Sequence, residues 1–321
     1  MKFKNKIVLL ILLLIIGVGY KKYMNKLNIE QEKEDMDLIV KFLNGDVEKM
    51  DKRRPFLWIP LEYEINERNW LNFGSRNTTN LNQPYLYLTI RSIIEKCGDS
   101  FNVCLIDDNV FNKLIPGWTI RVSRLSNPLK EHLRELGMAC LLQMYGGMRL
   151  APSFVCFENL YPMFMNMMQS NHIFVSELVS RNITSTTNKF YPNVKIMGCM
   201  KDCPIMVEYI KYLEGEVSRD FTNRMDFEGV ISRWFHRKIQ EGNCGLLKAD
   251  YLGVKNEDDN VIVVEELMGD TDINLSRKAL GIYVPADELL VRRNYGWFVR
   301  MSPEQVLNSN TQVGKYLLAT I

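Results

Sequence analysis

Histidine is scarce in this chain of 321 residues: only three occur, His132, His172 and His236. None has cysteine partners at the spacing of a zinc finger or ribbon, so no zinc site is expected. Neither sign of charge dominates, with 40 Lys and Arg against 38 Asp and Glu and a net charge of +2, and no long basic block interrupts the sequence. A polyanionic partner therefore has no electrostatic basis, and nucleic acid is not expected. Internal repeats and low-complexity tracts are lacking, which excludes a solenoid. The seven cysteines are too scattered for a disulfide scaffold, and their odd number leaves at least one free or intermolecular. Cys97 with Cys104 across the GDSFN turn, and Cys199 with Cys203, are the two candidate bridges; buried free thiols are the alternative.

What the chain does have is apolar mass, 46% of its residues, enough for one large core or two ordinary ones. One block of it is concentrated at the start, where Ile7 to Tyr20 carries no charge and is flanked by Lys2, Lys4, Lys6, Lys21 and Lys22. As a helix this run covers about 21 Å, and snorkelling lysines with Phe3 and Tyr23 extend it toward the roughly 30 Å of a bilayer core. No small-x-small cleavage pattern follows, so a single-pass signal anchor is expected rather than a cleaved signal peptide. Lysines on both flanks specify the orientation only weakly, with a lean toward a cytosolic N-terminus. The expected organisation is a short flank over 1–6, an anchor over 7–23, a polar and charged stem over 24–54, and one domain over 55–321.

Within that domain apolar runs alternate with helical patterns. RPFLWIP reads as a buried strand ending at Pro60, QPYLYLTIRSIIEKCG as a helix with Pro84 in its first turn, and FNVCLIDD as a strand ending on two aspartates. NPLKEHLRELGMACLLQMYGG reads as a helix with Asn127 as N-cap and Leu129, Leu133, Leu136, Cys140 and Met144 on one stripe, stopped by Gly146 and Gly147. MRLAPSFVCF and HIFVSEL follow as strands, CPIMVEYIKYLEG and FEGVISRWFHRKIQEG as helices, and LGIYV and YGWFVR as late strands; RNITSTTNKFYPN reads as a loop. Strands alternating with helices predict an α/β domain with a mostly parallel sheet flanked by helices.

Ligands of such sheets gather beyond the carboxyl ends of the strands, which singles out Pro60, Asp107, Asp108, Ala151 and Ser153. Asp107 and Asp108 could hold a ribose hydroxyl or a cation; alternatively Asp108 and Asn109 cap the helix that follows. Asp226 and Glu228 stand ahead of a helix, where either serves as a catalytic base for an acceptor hydroxyl or simply complements the helix dipole. Asn77, Asn182 and Asn274 begin N-x-Ser/Thr sequons, relevant only to a lumenal domain. Arg292, Arg293 and Trp297 are late candidates for phosphate and base contacts.

The LWIP strand, the IDDNVFNKLIPGW segment and the leucine-rich helix closing in MYGG together resemble glycosyltransferases of the GT-A type. The resemblance is to the capsular polysaccharide synthesis and DXD-sugar-binding families, including versions from large DNA viruses, and covers about Arg54 to Leu160. It implies a GT-A-like, Rossmann-like fold, a nucleotide-sugar donor and a glycan or glycoprotein acceptor. Arg134 and Tyr145-Gly146-Gly147 match the family pattern, while His132 stands near an acidic position of it. Trp58 takes the place of an aromatic that stacks on the nucleotide base, or else it is core.

The pattern departs at one point. Where the families carry two carboxylates that hold a divalent cation on the diphosphate, this chain has Ala151 and Ser153. A methyl group ligates nothing and a lone hydroxyl is a poor ligand for a hard dication, so no metal cofactor is expected there. Alternation along a strand would put Arg149, Ala151 and Ser153 on one face, with Arg149 supplying charge to the diphosphate or being paired structurally. Two readings follow: a glycosyltransferase, or a catalytically silent homologue serving as a binding or regulatory subunit.

Overall fold

The structure is a computed structural model that describes residues 50–51, 53–63, 81–219 and 224–321. The expected anchor, most of the stem and Asn77 lie outside the described residues. Among the described residues no helix is long and apolar enough to cross a membrane.

A six-stranded sheet in the order β2-β1-β3-β6-β5-β7 forms the centre. Its strands are β1 (Phe56–Pro60), β2 (Asn102–Ile106), β3 (Gly147–Arg149), β5 (Ile173–Val179), β6 (Phe190–Cys199) and β7 (Gly245–Leu247). β1 is parallel to β2 and β3, and β5 is parallel to β7; β6 alone runs against its neighbours β3 and β5. The mixed α/β class and the mostly parallel sheet agree with the sequence reading. Residues 57–59 of β1 and 103–106 of β2 are buried without alternation, as strands covered on both faces must be.

Helices flank the sheet: α1 (Leu86–Cys97), α2 (Val110–Leu114), α3 (Leu129–Tyr145), α4 (Tyr161–Ser170), α5 (Pro204–Val217) and α6 (Arg224–Gln240). A second, two-stranded antiparallel ribbon joins β4 (Phe154–Cys156) to β8 (Gly281–Tyr283). Short helices α7 (Val264–Met268), α8 (Ala286–Val291), α9 (Gly296–Val299), α10 (Pro303–Leu307) and α11 (Gln312–Thr320) complete the C-terminal part.

Four expectations are corrected. MRLAPSFVCF is two strands, because the chain leaves the central ladder after Arg149 and turns at Ala151, whose carbonyl accepts from Phe154 N at 3.2 Å. YGWFVR is the short helix α9, its apolar run being too short to distinguish strand from helix by periodicity. The end of the expected polar loop is the start of β6, whose Pro192 lies opposite Glu177 of β5; a strand carrying proline and a polar entry gives little sequence signal. Helix α3 starts at Leu129 with Pro128, not Asn127, in the cap position, and Asn127 donates from Nδ2 to Glu131 at 3.0 Å. All seven cysteines are free thiols, so neither candidate bridge forms.

The paired glycines after α3 have a geometric cause. Gly146 and Gly147 have φ of +68° and +100°, and a Cβ on Gly147 would stand 2.3 Å from the Phe56 carbonyl oxygen. The left-handed turn lets α3 reverse directly into β3 alongside β1. Gly147→Ala is expected to cost at least about 2 kcal/mol, combining disfavoured dihedrals with backbone overlap. Gly215→Ala, in the exposed face of α5 where a Cβ meets nothing within 4 Å, should instead gain about 0.4–1 kcal/mol. Urea midpoints of the two variants, moving in opposite directions from wild type, check the pair.

Candidate functional site

A cavity of about 170 Å³ opens over the carboxyl ends of β1, β2 and β3. The strand ends supply Pro60, Asp107, Asp108 and Arg149, and the segment after β3 supplies Ala151, Pro152 and Ser153. Helix α3 adds His132, Arg134 and Glu135; α6 adds Phe227, Glu228 and Ser232; β6 adds Asn193 and Lys195; α8 adds Asp287. The five strand-end residues selected from sequence therefore meet at one place, with Arg134, Arg149 and Glu228.

Five expected members are elsewhere. Trp58 is fully buried, its Nε1 donating to the Gly146 carbonyl at 3.0 Å and its ring stacked on Phe56 at 4.9 Å. It is core, the second of its two readings, and its central-strand side chain cannot reach a base. Asp226, in the first turn of α6, is not among the lining residues although its neighbours Phe227 and Glu228 are. Arg292 is paired with Glu265 and Glu288 at 2.5 Å each, and neither it, Arg293 nor Trp297 lines the cavity.

The cap foreseen for Asp108 falls to Asp107, and Asp108 is taken up by an ion pair. Asp107 accepts from Asn109 N at 2.9 Å and Asn109 Nδ2 at 3.1 Å, forming the turn into α2. Asp108 takes a bidentate grip from Arg134, at 2.6 Å from Nε and 3.0 Å from Nη2, and lies 3.2 Å from Lys130 Nζ. Burial alone would push the Asp108 carboxyl up, but the hydrogen bonds and charges of Arg134 and Lys130 outweigh it and hold the group below its ordinary 3.8. Arg134 also donates to Glu62 at 3.0 Å.

Arg149 is likewise engaged. Its Nη1 donates to both Glu135 carboxylate oxygens, at 2.8 and 2.7 Å. The other donor to Glu135 is the buried Tyr209 phenol, at 3.2 Å, held protonated because burial and the nearby carboxylate push its ionisation well above the usual tyrosine range. Glu135, Asn193, Lys195 and Asp287 escaped the sequence reading. An acid between Leu133 and Leu136 in an apolar stripe was the available signal for Glu135; Lys195 and Asn193 were hidden with β6.

The segment that replaces the acid pair is fixed on all sides. Leu150 N donates to the Trp58 carbonyl at 3.0 Å, Thr89 Oγ1 donates to the Pro152 carbonyl at 2.6 Å, and Ser153 Oγ donates to the Val284 carbonyl at 2.6 Å. The Ser153 hydroxyl is thus committed to β8's exit, and Ala151 presents only a methyl group. These residues do not fit a divalent cation. Among the described residues no three His, Cys, Asp or Glu side chains are grouped as a metal ion would need.

Charge in the cavity is unbalanced. Seven carboxylates line it (Glu62, Asp107, Asp108, Glu131, Glu135, Glu228 and Asp287) against three basic side chains, Arg134, Arg149 and Lys195. Lys195 is ion-paired with Asp287. Of the sequons, Asn182 is buried and its Oδ1 accepts from Thr184 N and Oγ1 at 2.9 and 2.7 Å, so it is a structural residue of the folded chain.

No protein family matches the chain, and no curated protein matches it. Among solved structures it is similar to one described as PaToxG Glycosyltransferase, at 13% identity over 58% of this chain and 71% of that one, with a TM-score of 0.29. That likeness is too slight to carry a fold or an activity across.

Asp108→Asn should cost about 3 kcal/mol, since it leaves the largely buried Lys130 without its carboxylate and Arg134 with only the more exposed Glu62. The pH dependence has a defined sign. A carboxyl whose folded value lies below 3.8 stabilises fully above that pH, and the contribution disappears as pH falls through the depressed folded value. Urea titrations from pH 7 to pH 2 should show a smaller acid-induced loss in the variant than in wild type. Identical slopes would detach Asp108 from acid stability.

Proposed function

We propose that this is a GT-A-like glycosyltransferase that binds a nucleotide sugar in the cavity over β1, β2 and β3. The observation that carries the reading is the convergence there of Pro60, Asp107, Asp108 and Ser153, selected by the strand-end rule, with Arg134, selected by the family resemblance, and Arg149, selected by strand alternation. Asp107 is the candidate for a ribose hydroxyl, accepting hydrogen bonds as carboxylates do. Glu228, contributed by α6, is the candidate base. In transfer, the acceptor oxygen would bond to the anomeric carbon while the carbon–oxygen bond to the diphosphate breaks; the electron pair leaves with the nucleoside diphosphate and the acceptor proton passes to Glu228. No cation at residues 151 and 153 takes part in this reading.

One observation favours the second reading, a catalytically silent binding subunit. Arg134 and Arg149 are both already neutralised by carboxylates, so the charge released on a leaving diphosphate lacks an uncommitted counter-charge from either arginine.

Isothermal titration with a panel of nucleotide sugars, combined with release of nucleoside diphosphate in the presence of candidate glycan acceptors, separates the readings. Transfer predicts product release that survives EDTA and falls at least a hundredfold in Glu228→Gln. Binding without release supports the silent homologue. Activity abolished by EDTA and restored by Mn²⁺ would contradict the cation-free site, and binding of no nucleotide sugar would contradict the transferase and favour a silent homologue that binds a glycan or a partner protein.

A further inference from the structure

We propose that the corner from Leu290 to Arg300 is a contact surface for an anionic lipid bilayer. It lies outside the cavity, and the argument does not depend on the apolar N-terminal run. The end of α8 exposes Leu290 at 46% and Val291 at 79%, and α9 exposes Trp297 at 44%. Single exposed apolar residues are ordinary; here three fall between positions 290 and 297, on the two short helices α8 and α9 that contact one another, among arginines.

The arginines outnumber the acids at this corner, where Glu265 and Glu288 both pair with Arg292. Between Leu289 and Arg300 the sequence holds Arg292, Arg293 and Arg300 and no acid. The preceding acids are committed: Asp287 is ion-paired with Lys195, and Glu288 with Arg181 and Arg292. Arg292 is locked by Glu265 and Glu288, which anchors the corner to the fold. Arg293 has no carboxylate partner among the described residues, and Arg300 donates from Nε to its own helix's Gly296 carbonyl at 2.8 Å.

A bilayer with anionic headgroups answers both halves of this surface. Trp297 belongs at the headgroup level with its ring partly in hydrocarbon, Leu290 and Val291 enter the acyl boundary, and Arg293 and Arg300 meet lipid phosphates. A free phosphate would engage the arginines and leave the three apolar side chains in water. A second copy docking patch to patch would bring like charges together.

The test uses the full chain mixed with preformed phosphatidylglycerol–phosphatidylcholine vesicles containing lipids brominated along the acyl chain, read by tryptophan fluorescence. Quenching in wild type should exceed that in Trp297→Phe, the difference being the Trp297 signal. High salt and pure phosphatidylcholine vesicles should suppress that difference. Arg293→Gln with Arg300→Gln, two exposed changes that leave Trp297 in place, should weaken it by about thirtyfold in lipid concentration. Equal quenching in wild type and Trp297→Phe, or indifference to lipid charge, would overturn the proposal. So would a Trp297 emission that shifts with protein concentration in lipid-free buffer, which would assign the corner to a second copy.

Discussion

Two largely buried ion pairs organise the molecule around the cavity: Arg134 with Asp108 and Arg149 with Glu135. Both begin on α3, and they tie that helix to the ends of β2 and β3. Each pair brings together side chains that would be costly to bury alone, so the pairs specify how α3 lies across the strand ends more than they add stability. Tyr209 extends the second pair into α5. With α3 fixed, the turn at Gly146 and Gly147 sets β3 beside β1, and the segment from Leu150 to Ser153 is delivered between α1 and β8.

The same pairs constrain the chemistry. By consuming both arginines they leave the cavity rich in carboxylates, an environment of acceptors suited to hydroxyl groups. A diphosphate entering it either draws Arg134 or Arg149 away from its carboxylate, at a cost of several kcal/mol, or carries its own counter-ion. The contest between transferase and silent homologue is therefore a contest over where the phosphate charge goes.

Much of this was legible in the sequence where the signal was local. Buried strands with little alternation, the Gly-Gly stop and the strand-end positions all identified the cavity's floor before its walls were known. The failures have physical causes. Trp58 was ambiguous because a strand aromatic near a ligand edge and a core aromatic look alike; its side chain packs beneath the ladder and bonds Gly146 instead. Arg149, Ala151 and Ser153 were placed together by strand alternation, yet they meet because the chain breaks out of the ladder after Arg149. Lys195 and Asp287 reach the cavity from β6 and α8, elements whose sequence distance from the strand ends only the tertiary fold closes. That Asp107 takes the turn and Asp108 the ion pair depends on which carboxylate Arg134 reaches, a long-range contact that no local pattern encodes.

The central claim is that the cavity over β1, β2 and β3 is where a nucleotide sugar binds. A crystal structure of the protein soaked with a panel of nucleotide sugars tests it most directly. The account predicts ligand density between Asp107 and Glu228, with a hydroxyl of the ligand donating to Asp107 and no cation bound by Ser153. A nucleotide sugar seated elsewhere on the molecule, with this cavity holding only water, would contradict it.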